Sequence, residues 1–136
     1  MGTRENKATL LESVVAFNDA NDRMRYFDVL YGGDATMPGL RGYSTGLDGF
    51  TQYYTRLWAA FPDLHMRLED MVAEGDNVSA RFTVTGTHTG PLGEVQPTGK
   101  RVLFTGATFL RFRDGKCYER WGVFDQLGLM EQLTGG

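Results

Sequence analysis

The sequence contains a single cysteine, Cys117, in 136 residues, so no disulfide can form within one chain. It has only two histidines, His65 and His88, and two histidines with one cysteine make a poor metal site, so no metal is expected. Basic residues number 14 and acidic residues 17, which gives neither a basic surface for nucleic acid nor a polybasic membrane anchor. The shortage of cysteine favours a reducing, cytoplasmic compartment.

Long apolar runs are also missing. No stretch approaches the roughly 20 residues that a membrane span requires, and the first residues lack the apolar segment and cleavage site of a signal peptide. The length predicts a single domain over residues 1–136. The nucleophile-elbow, Walker and H-E-x-x-H motifs are absent, so metal-independent acid/base chemistry is expected if the protein is an enzyme.

Helical spacing dominates the first half of the chain. Apolar residues recur every three or four positions over residues 3–18, with Thr3 as the predicted N-cap, and again over residues 47–61. Pro62 is expected to end the second of these helices, because the residue before a proline resists helical geometry. A shorter helix is predicted between them, ending at Gly32-Gly33.

The second half changes to a period of two, which predicts strands over residues 64–74, 77–86, 101–112 and 116–124. Gly75-Asp76 and Asp114-Gly115 supply hairpin turns. Helices followed by an antiparallel meander predict an α+β fold, a cone-shaped barrel with N-terminal helices packed on a curved, mostly antiparallel sheet. The glycine-rich stretch 86–99 is then a long hairpin loop, expected at the mouth of a ligand pocket.

The last strand carries the candidate catalytic residue. Strict alternation places Glu119, Trp121 and Asp125 on one face together with Cys117 and Val123. Carboxylates beside a tryptophan and a valine indicate an apolar pocket, where desolvation raises a carboxyl pKa and provides a base for neutral pH. Glu119 and Asp125 are therefore candidate acid/base residues.

Each of these residues also has a structural interpretation. Asp125 is equally well placed to cap the helical turn that follows it, and Glu119 to pair with Arg111 across the hairpin. Arg81 fits a strand surface, and His88 fits a role in fixing its loop. The large aromatic residues of the pattern fit the core as well as a ligand site: Trp58, Phe61 and Trp121.

Short motifs occur in a fixed order from about residue 47 to the end of the chain: Phe61-Pro62-Asp63, Glu74-Gly75-Asp76, Gly86-Thr87-His88-Thr89-Gly90, Pro97-Thr98-Gly99-Lys100, Asp114-Gly115-Lys116, Glu119-x-Trp121-x-x-x-Asp125 and Gln132-Leu133. With these motifs the chain resembles the SnoaL-like polyketide cyclase (ester cyclase) family. The resemblance implies the cone fold shared with ketosteroid isomerase and nuclear transport factor 2. It also implies a homodimer or homotetramer built through the sheet.

The resemblance further implies an enzyme of antibiotic biosynthesis, a lyase or isomerase without metal or organic cofactor. Asp125 would be the acid/base in an intramolecular aldol ring closure of an aromatic polyketide ester. The expected substrate is small, hydrophobic and polycyclic. The residues expected to contact it are Trp121, Glu119, Arg81, Trp58, Phe61, Leu110 and His88.

One position departs from the family pattern. Cyclases of this type often carry a histidine at about Leu110. If that histidine polarises a substrate carbonyl, this chain must use another donor or none, and Arg81, Tyr43 and a water are the candidates. Two other functions stay open. One is an epoxide hydrolase or isomerase on the same fold, using Glu119, Asp125 and Arg81. The other is a non-catalytic module that binds a small hydrophobic ligand.

Overall fold

The computed structural model describes residues 2–38 and 42–135. The described helices and strands follow in this order: α1 Thr3–Phe17, α2 Arg25–Leu30, β1 Tyr31–Thr36, α3 Gly46–Ala60, β2 His65–Glu74, β3 Asn77–Thr87, β4 Arg101–Arg113, β5 Lys116–Phe124 and α4 Gln126–Thr134. The predicted α+β fold, with helices packed on a mostly antiparallel sheet, is confirmed.

The described strands form one mixed sheet in the order β1-β5-β4-β3-β2. β1 runs parallel to β5, and the other neighbours are antiparallel. Because β1 and β2 are edges that do not pair with each other, the sheet is open and not a closed barrel. We call the face that packs on the helices the inner face, and the opposite face the outer face.

Aromatic residues fill the space between the helices and the inner face. α3 buries an apolar stripe that contains Phe50, Tyr54 and Trp58, and its last residue, Ala60, precedes Pro62 by two positions. The Tyr54 ring lies 4.4 Å from Phe50, 5.7 Å from Phe17 and 5.7 Å from Trp58, measured between centroids. Aromatic pairs at these separations add to the stabilisation that burial provides.

Two local predictions in the first part of the chain were wrong. Gly2, not Thr3, is the N-cap of α1. The second helix ends at Leu30, and the residues after it form the edge strand β1. The sequence of β1, Tyr-Gly-Gly-Asp-Ala-Thr, does not alternate apolar and polar residues, and its partner β5 is more than 80 residues away along the chain. No local signal therefore predicts this strand. Part of the turn segment predicted after it, residues 39–41, lies outside the described residues.

The β4–β5 hairpin has the predicted turn and one unpredicted feature. Asp114 and Gly115 both have positive φ, 52° and 81°, as a tight hairpin turn requires. Phe112 lies opposite Cys117, but Arg111 lies opposite Glu119. Tyr118 is therefore an extra residue in β5, a β-bulge, and the side chains that follow it point to the opposite faces from those that strict alternation predicts.

Asn18, just past the end of α1, fixes that helix to the edge strand β2. Its Nδ2 donates to the Met66 carbonyl at 2.9 Å, and its Oδ1 accepts from the Met66 N–H at 2.7 Å. A side-chain amide thus replaces the strand partner that Met66 lacks at the sheet edge.

We expect Asn18→Ala to lower the free energy of unfolding by about 1–3 kcal/mol, because it leaves both backbone groups of Met66 without their partner. Asn21→Ala, at an exposed position nearby, is the matched control and should change stability by less than about 0.5 kcal/mol. Urea unfolding of both variants measures the difference. Equal stability of the two would contradict a role for the Asn18 clamp.

Candidate active site

A small cavity of about 20 Å³ lies between the helices and the inner face of the sheet. This is room for about one water molecule. It is lined almost entirely by apolar and aromatic side chains, with Thr108 and Arg120 as the exceptions: Leu10, Val14, Tyr26, Leu30, Tyr31, Tyr54, Met66, Leu68, Ala80, Phe82, Thr108, Leu110 and Arg120. No lining residue is a carboxylate or a histidine, so the chemistry available there begins with Arg120 and the hydroxyl groups.

Arg120 is a buried positive charge without a counter-charge among the described residues. The residue is 6% exposed, and its Nε–H is fully buried and has no hydrogen-bond partner. None of the ion pairs between described residues includes it. Its guanidinium carbon lies 4.5 Å from the centre of the Phe50 ring, and a Cβ at Gly122 would collide with the guanidinium nitrogens. Phe50 and Gly122 therefore hold the charge in place from two sides.

Tyrosine hydroxyls surround this charge. The hydroxyls of Tyr26 and Tyr31 are hydrogen-bonded to each other at 3.2 Å. Burial raises the pKa of both phenols, so they stay neutral near pH 7. Burial alone would lower the pKa of Arg120, and the neutral phenols supply no negative charge, but the guanidinium stays charged because arginine is not deprotonated in proteins. The cavity thus combines one permanent cation with neutral hydroxyl groups, an arrangement suited to an oxyanion.

The bulge at Tyr118 corrects the predicted faces of β5. Arg120, after the bulge, points inward, while Trp121 and Val123 lie on the outer face and are 58% and 72% exposed. The expectation of an apolar pocket around Glu119, Trp121 and Asp125 was therefore wrong in its geometry. Those side chains belong to the outer face, and the inner position that sequence alternation assigned to Glu119 belongs to Arg120.

Asp125 caps α4. It is exposed, and its Oδ1 accepts a hydrogen bond from the Gly128 N–H at 2.8 Å, which is the capping alternative weighed from the sequence. It borders an open groove of about 540 Å³ on the outer face, together with Arg81, which is also exposed. A catalytic role for Asp125 stays a prediction, and Asp125 is not among the residues that line the inner cavity.

Glu119 pairs with Arg111 at 3.2 Å across the hairpin, as its alternative interpretation predicted. It lines a different outer groove from Asp125, between Phe109 and Trp121. The structure therefore does not gather Glu119, Asp125 and Arg81 around one cavity, which is the arrangement that the epoxide-hydrolase hypothesis needs.

Among the predicted contact residues, Leu110 is the one that lines the inner cavity. It lies directly opposite Arg120 in the β4–β5 register. Trp58 and Phe61 are buried core residues outside the lining, 7% and 0% exposed. Sequence reasoning looked for a polar donor to replace the family's histidine at Leu110 and missed Arg120, because only the register across the bulge reveals that they are neighbours.

The loop between β3 and β4 lies away from the cavity, which corrects the expectation that it forms a pocket mouth. The N–H groups of Thr89 and Gly90 both donate to the Ala60 carbonyl at 3.1 Å, so the loop packs on the end of α3. None of its residues lines the cavity. His88 is fully buried there, and its Nδ1 accepts from the Thr98 N–H at 3.1 Å. His88 therefore fixes the loop, as its structural interpretation predicted.

Over residues 2–38 and 42–135, no three histidine, cysteine, aspartate or glutamate side chains are close enough together to hold a metal ion. No helix in the same residues is long and apolar enough to cross a membrane.

The family model for SnoaL-like polyketide cyclases matches residues 15–133. The chain belongs to that family. Among curated proteins, none is similar enough to count as a relative of this cyclase-family protein.

Solved structures with the same fold agree with the family assignment. The chain is 32% identical to AclR, a proposed hydroxylase from Streptomyces galilaeus, with a TM-score of 0.87 over 99% of this chain and 84% of AclR. It is 26% identical to TsrD from Streptomyces laurentii, with a TM-score of 0.85 over all of both chains. It is 28% identical to IdmH, a proposed polyketide cyclase from Streptomyces antibioticus, with a TM-score of 0.81 over 94% of this chain and 97% of IdmH.

The buried His88 predicts a specific pH dependence. Burial lowers its pKa from the ordinary value of 6.5, partly opposed by the Gly90 backbone. Because the unfolded chain binds the proton more readily, the stability contributed by neutral His88 is present above pH 6.5 and is lost as the pH falls through the lowered pKa. The free energy of unfolding that is lost approaches about 1.4 kcal/mol for each unit by which folding lowers the pKa of His88.

Thermal unfolding of the wild type and His88→Gln between pH 7.5 and about pH 5 measures this loss. The melting temperature of the wild type should fall more steeply with acid than that of the variant. Replacement of the exposed His65 by Gln is the control for removing a histidine. Parallel curves for the wild type and His88→Gln would show that His88 does not titrate in this way.

Proposed function

We propose that this protein is a cofactor-independent cyclase that closes a ring in an aromatic polyketide ester by aldol chemistry, with Arg120 stabilising the oxyanions that form. The single observation that carries the proposal is a buried, unpaired guanidinium that faces an apolar cavity directly opposite Leu110. Arg120 would thus supply the carbonyl-polarising donor at the place where cyclases of this type often carry a histidine. Membership of the polyketide cyclase family supports the reaction class.

The reaction begins at a methylene group flanked by two carbonyls. Its C–H bond breaks, the electron pair moves onto a carbonyl oxygen as an enolate beside Arg120, and the proton passes to a water molecule. The enolate carbon then forms a C–C bond to a second carbonyl carbon of the same chain as the C=O π bond there breaks, and the alkoxide produced takes back the proton that the water molecule had accepted. A fixed cation in a dry site lowers the energy of the enolate more than that of the neutral ketone, and this difference accelerates the reaction.

The small size of the cavity defines how the substrate is expected to bind. Pockets for drug-sized molecules measure about 300–1,000 Å³, so a cavity of about 20 Å³ accepts a carbonyl oxygen but not a ring. Val14 and Leu68 are the lining residues that are only half-buried, and they place the opening between α1 and β2. In this proposal the rings lie at that opening, against Val14 and Leu68.

We expect Arg120→Met to lower the rate of enolate formation by about 10²–10³-fold, the usual effect of removing one oxyanion donor. The assay follows exchange of the acidic methylene hydrogens of an aromatic β-keto ester in deuterated water by NMR, and, with a longer polyketide ester, formation of the ring. Arg120→Lys keeps the charge but loses the planar fork of donors, so it should recover only part of the rate.

Asp125→Asn separates this proposal from the assignment made from the sequence. Asparagine is also a good N-cap, so the variant should fold normally, and because Asp125 lies on the outer face we expect its rate to stay near that of the wild type. Loss of activity in Asp125→Asn together with full activity in Arg120→Met would reject the role of Arg120 and restore Asp125 as the catalytic residue.

Hydroxylation is the second candidate function, because AclR, at 32% identity, is a proposed hydroxylase. An enolate held beside Arg120 is also a suitable nucleophile for that chemistry, which consumes dioxygen and two electrons from a reductant. Mass spectrometry distinguishes the two: hydroxylation adds one oxygen atom, whereas aldol closure leaves the mass unchanged or removes one water.

The outer face supports the homo-oligomer expected from the sequence. It exposes a cluster of large apolar side chains on adjacent strands and at the start of α4: Leu103, Phe109, Trp121, Val123 and Leu127. Phe109 and Trp121 are cross-strand partners, 59% and 58% exposed. Large apolar side chains exposed on one face of a sheet are typical of an interaction site, and a two-fold axis allows one such face to cover itself. We propose that a second copy of the chain covers this face.

The wild type is therefore expected to sediment as a dimer or tetramer, and Trp121→Glu or Phe109→Glu as a monomer, because each buries a charge in the proposed contact. Val15, 63% exposed on α1, is the matched control, and Val15→Glu should keep the wild-type assembly. Sedimentation velocity over a range of concentrations tests this. A monomeric wild type at all of them would contradict the assembly.

A further inference from the structure

We propose that the inner cavity is a binding site for a single monatomic anion, chloride or bromide, held by the guanidinium of Arg120. Its lining includes Arg120 and the hydrogen-bonded tyrosines Tyr26 and Tyr31. The Phe50 ring and the backbone at Gly122 lie against the guanidinium and hold it in place. Nothing in the proposed ring closure requires such a resting ligand.

The charge of Arg120 favours an anion in the cavity. An ion taken out of water loses several kcal/mol of solvation, which is recovered only if a partner of opposite sign is close. Arg120 is 6% exposed, and no described carboxylate is paired with it. The contact with Phe50 recovers only part of that cost, since cation–π pairs contribute about 0.5–2 kcal/mol. An anion in the cavity supplies the missing charge.

The size of the cavity favours a monatomic anion. A cavity of about 20 Å³ holds one water-sized particle. Halides meet this limit because they are single atoms, whereas sulfate and phosphate, with four oxygens around a central atom, do not. The site therefore selects anions by size as well as by sign.

The chemistry of the cavity lining also favours an anion. Arg120 offers N–H donors and no acceptor, and Thr108 adds a hydroxyl close to the same space. Carboxylates, which would repel an anion, are absent from the lining. The remaining lining is apolar, which strengthens the attraction between the guanidinium and an anion because few waters screen it.

A substrate oxyanion has the same chemistry as a halide in this position, so the two would compete for Arg120. The experiment therefore measures halide binding without any substrate, and competition in a separate arm. If halide binds but Arg120→Met keeps its catalytic rate, the proposed function fails and this inference stands. If Arg120→Met loses its rate but no halide binds, the reverse holds.

The binding arm compares melting temperatures in sodium chloride or bromide with those in sodium sulfate or gluconate at equal ionic strength. For the wild type we expect a saturable rise specific to halide, roughly 3–6 °C at ten times the dissociation constant. Arg120→Met should lose the rise, and Arg4→Met, which removes an exposed arginine on α1, should keep it. In the competition arm, chloride should raise the apparent KM for the β-keto ester.

Replacing a buried charge by an apolar side chain of similar length is often neutral or stabilising, so Arg120→Met is expected to fold. Should it not, diffraction from wild-type crystals grown in bromide decides the question: anomalous scattering should place a bromide in contact with the guanidinium. A bromide found only at the surface would overturn the proposal. So would a rise in melting temperature that is equally large in sulfate, or equally large in Arg120→Met.

Discussion

A permanent positive charge inside an apolar cavity is the constraint on which the candidate site depends. Arg120 is buried at the inner face of β5 with no paired carboxylate among the described residues. A lysine in such a place would lose its proton, but a guanidinium keeps its charge under all physiological conditions. The protein therefore maintains a fixed electrostatic field in a nearly dry space, and this field favours whatever ligand or intermediate becomes negative there.

The scaffold around the charge keeps it in one position. Phe50 lies against the guanidinium on one side and the bare backbone of Gly122 on the other. Phe50 is itself held by Tyr54 at 4.4 Å and Tyr31 at 5.8 Å between ring centres. Tightly packed rings leave little freedom for the donor to relax, and a donor that is already oriented stabilises a developing charge without reorganising. The aromatic core thus contributes to chemistry as well as to stability.

The sequence predicted those features whose signals are local. The α3 stripe, the Asp114-Gly115 turn and the cap at Asp125 each depend on a few neighbouring residues, and the structure contains all three. Leu110 was recognised as a cavity position through the family resemblance. The edge strand β1 had no alternation to reveal it.

The orientation of β5 could not be predicted in the same way. Because Tyr118 is an extra residue, the side chains that follow it point to the faces opposite to those that strict alternation predicts, and no residue type in β5 indicates a bulge. Loop 88–100 was misjudged for a related reason, since its length indicated a functional role, whereas its contacts with Ala60 and Phe61 determine where it lies.

The bulge at Tyr118 decides which side chains of β5 face the helices and which face the solvent. If β5 kept Tyr118 but paired without the bulge, Tyr118 would lie opposite Arg111, the arginine would turn to the solvent side and the tryptophan would turn toward the helices, although the sequence stayed the same. Two relatives that share the Glu-x-Trp motif and have hairpins of equal length can therefore present different side chains to the interior if only one of them has the bulge. Side chains of this strand can therefore be compared between relatives only after the pairing register of each hairpin is known.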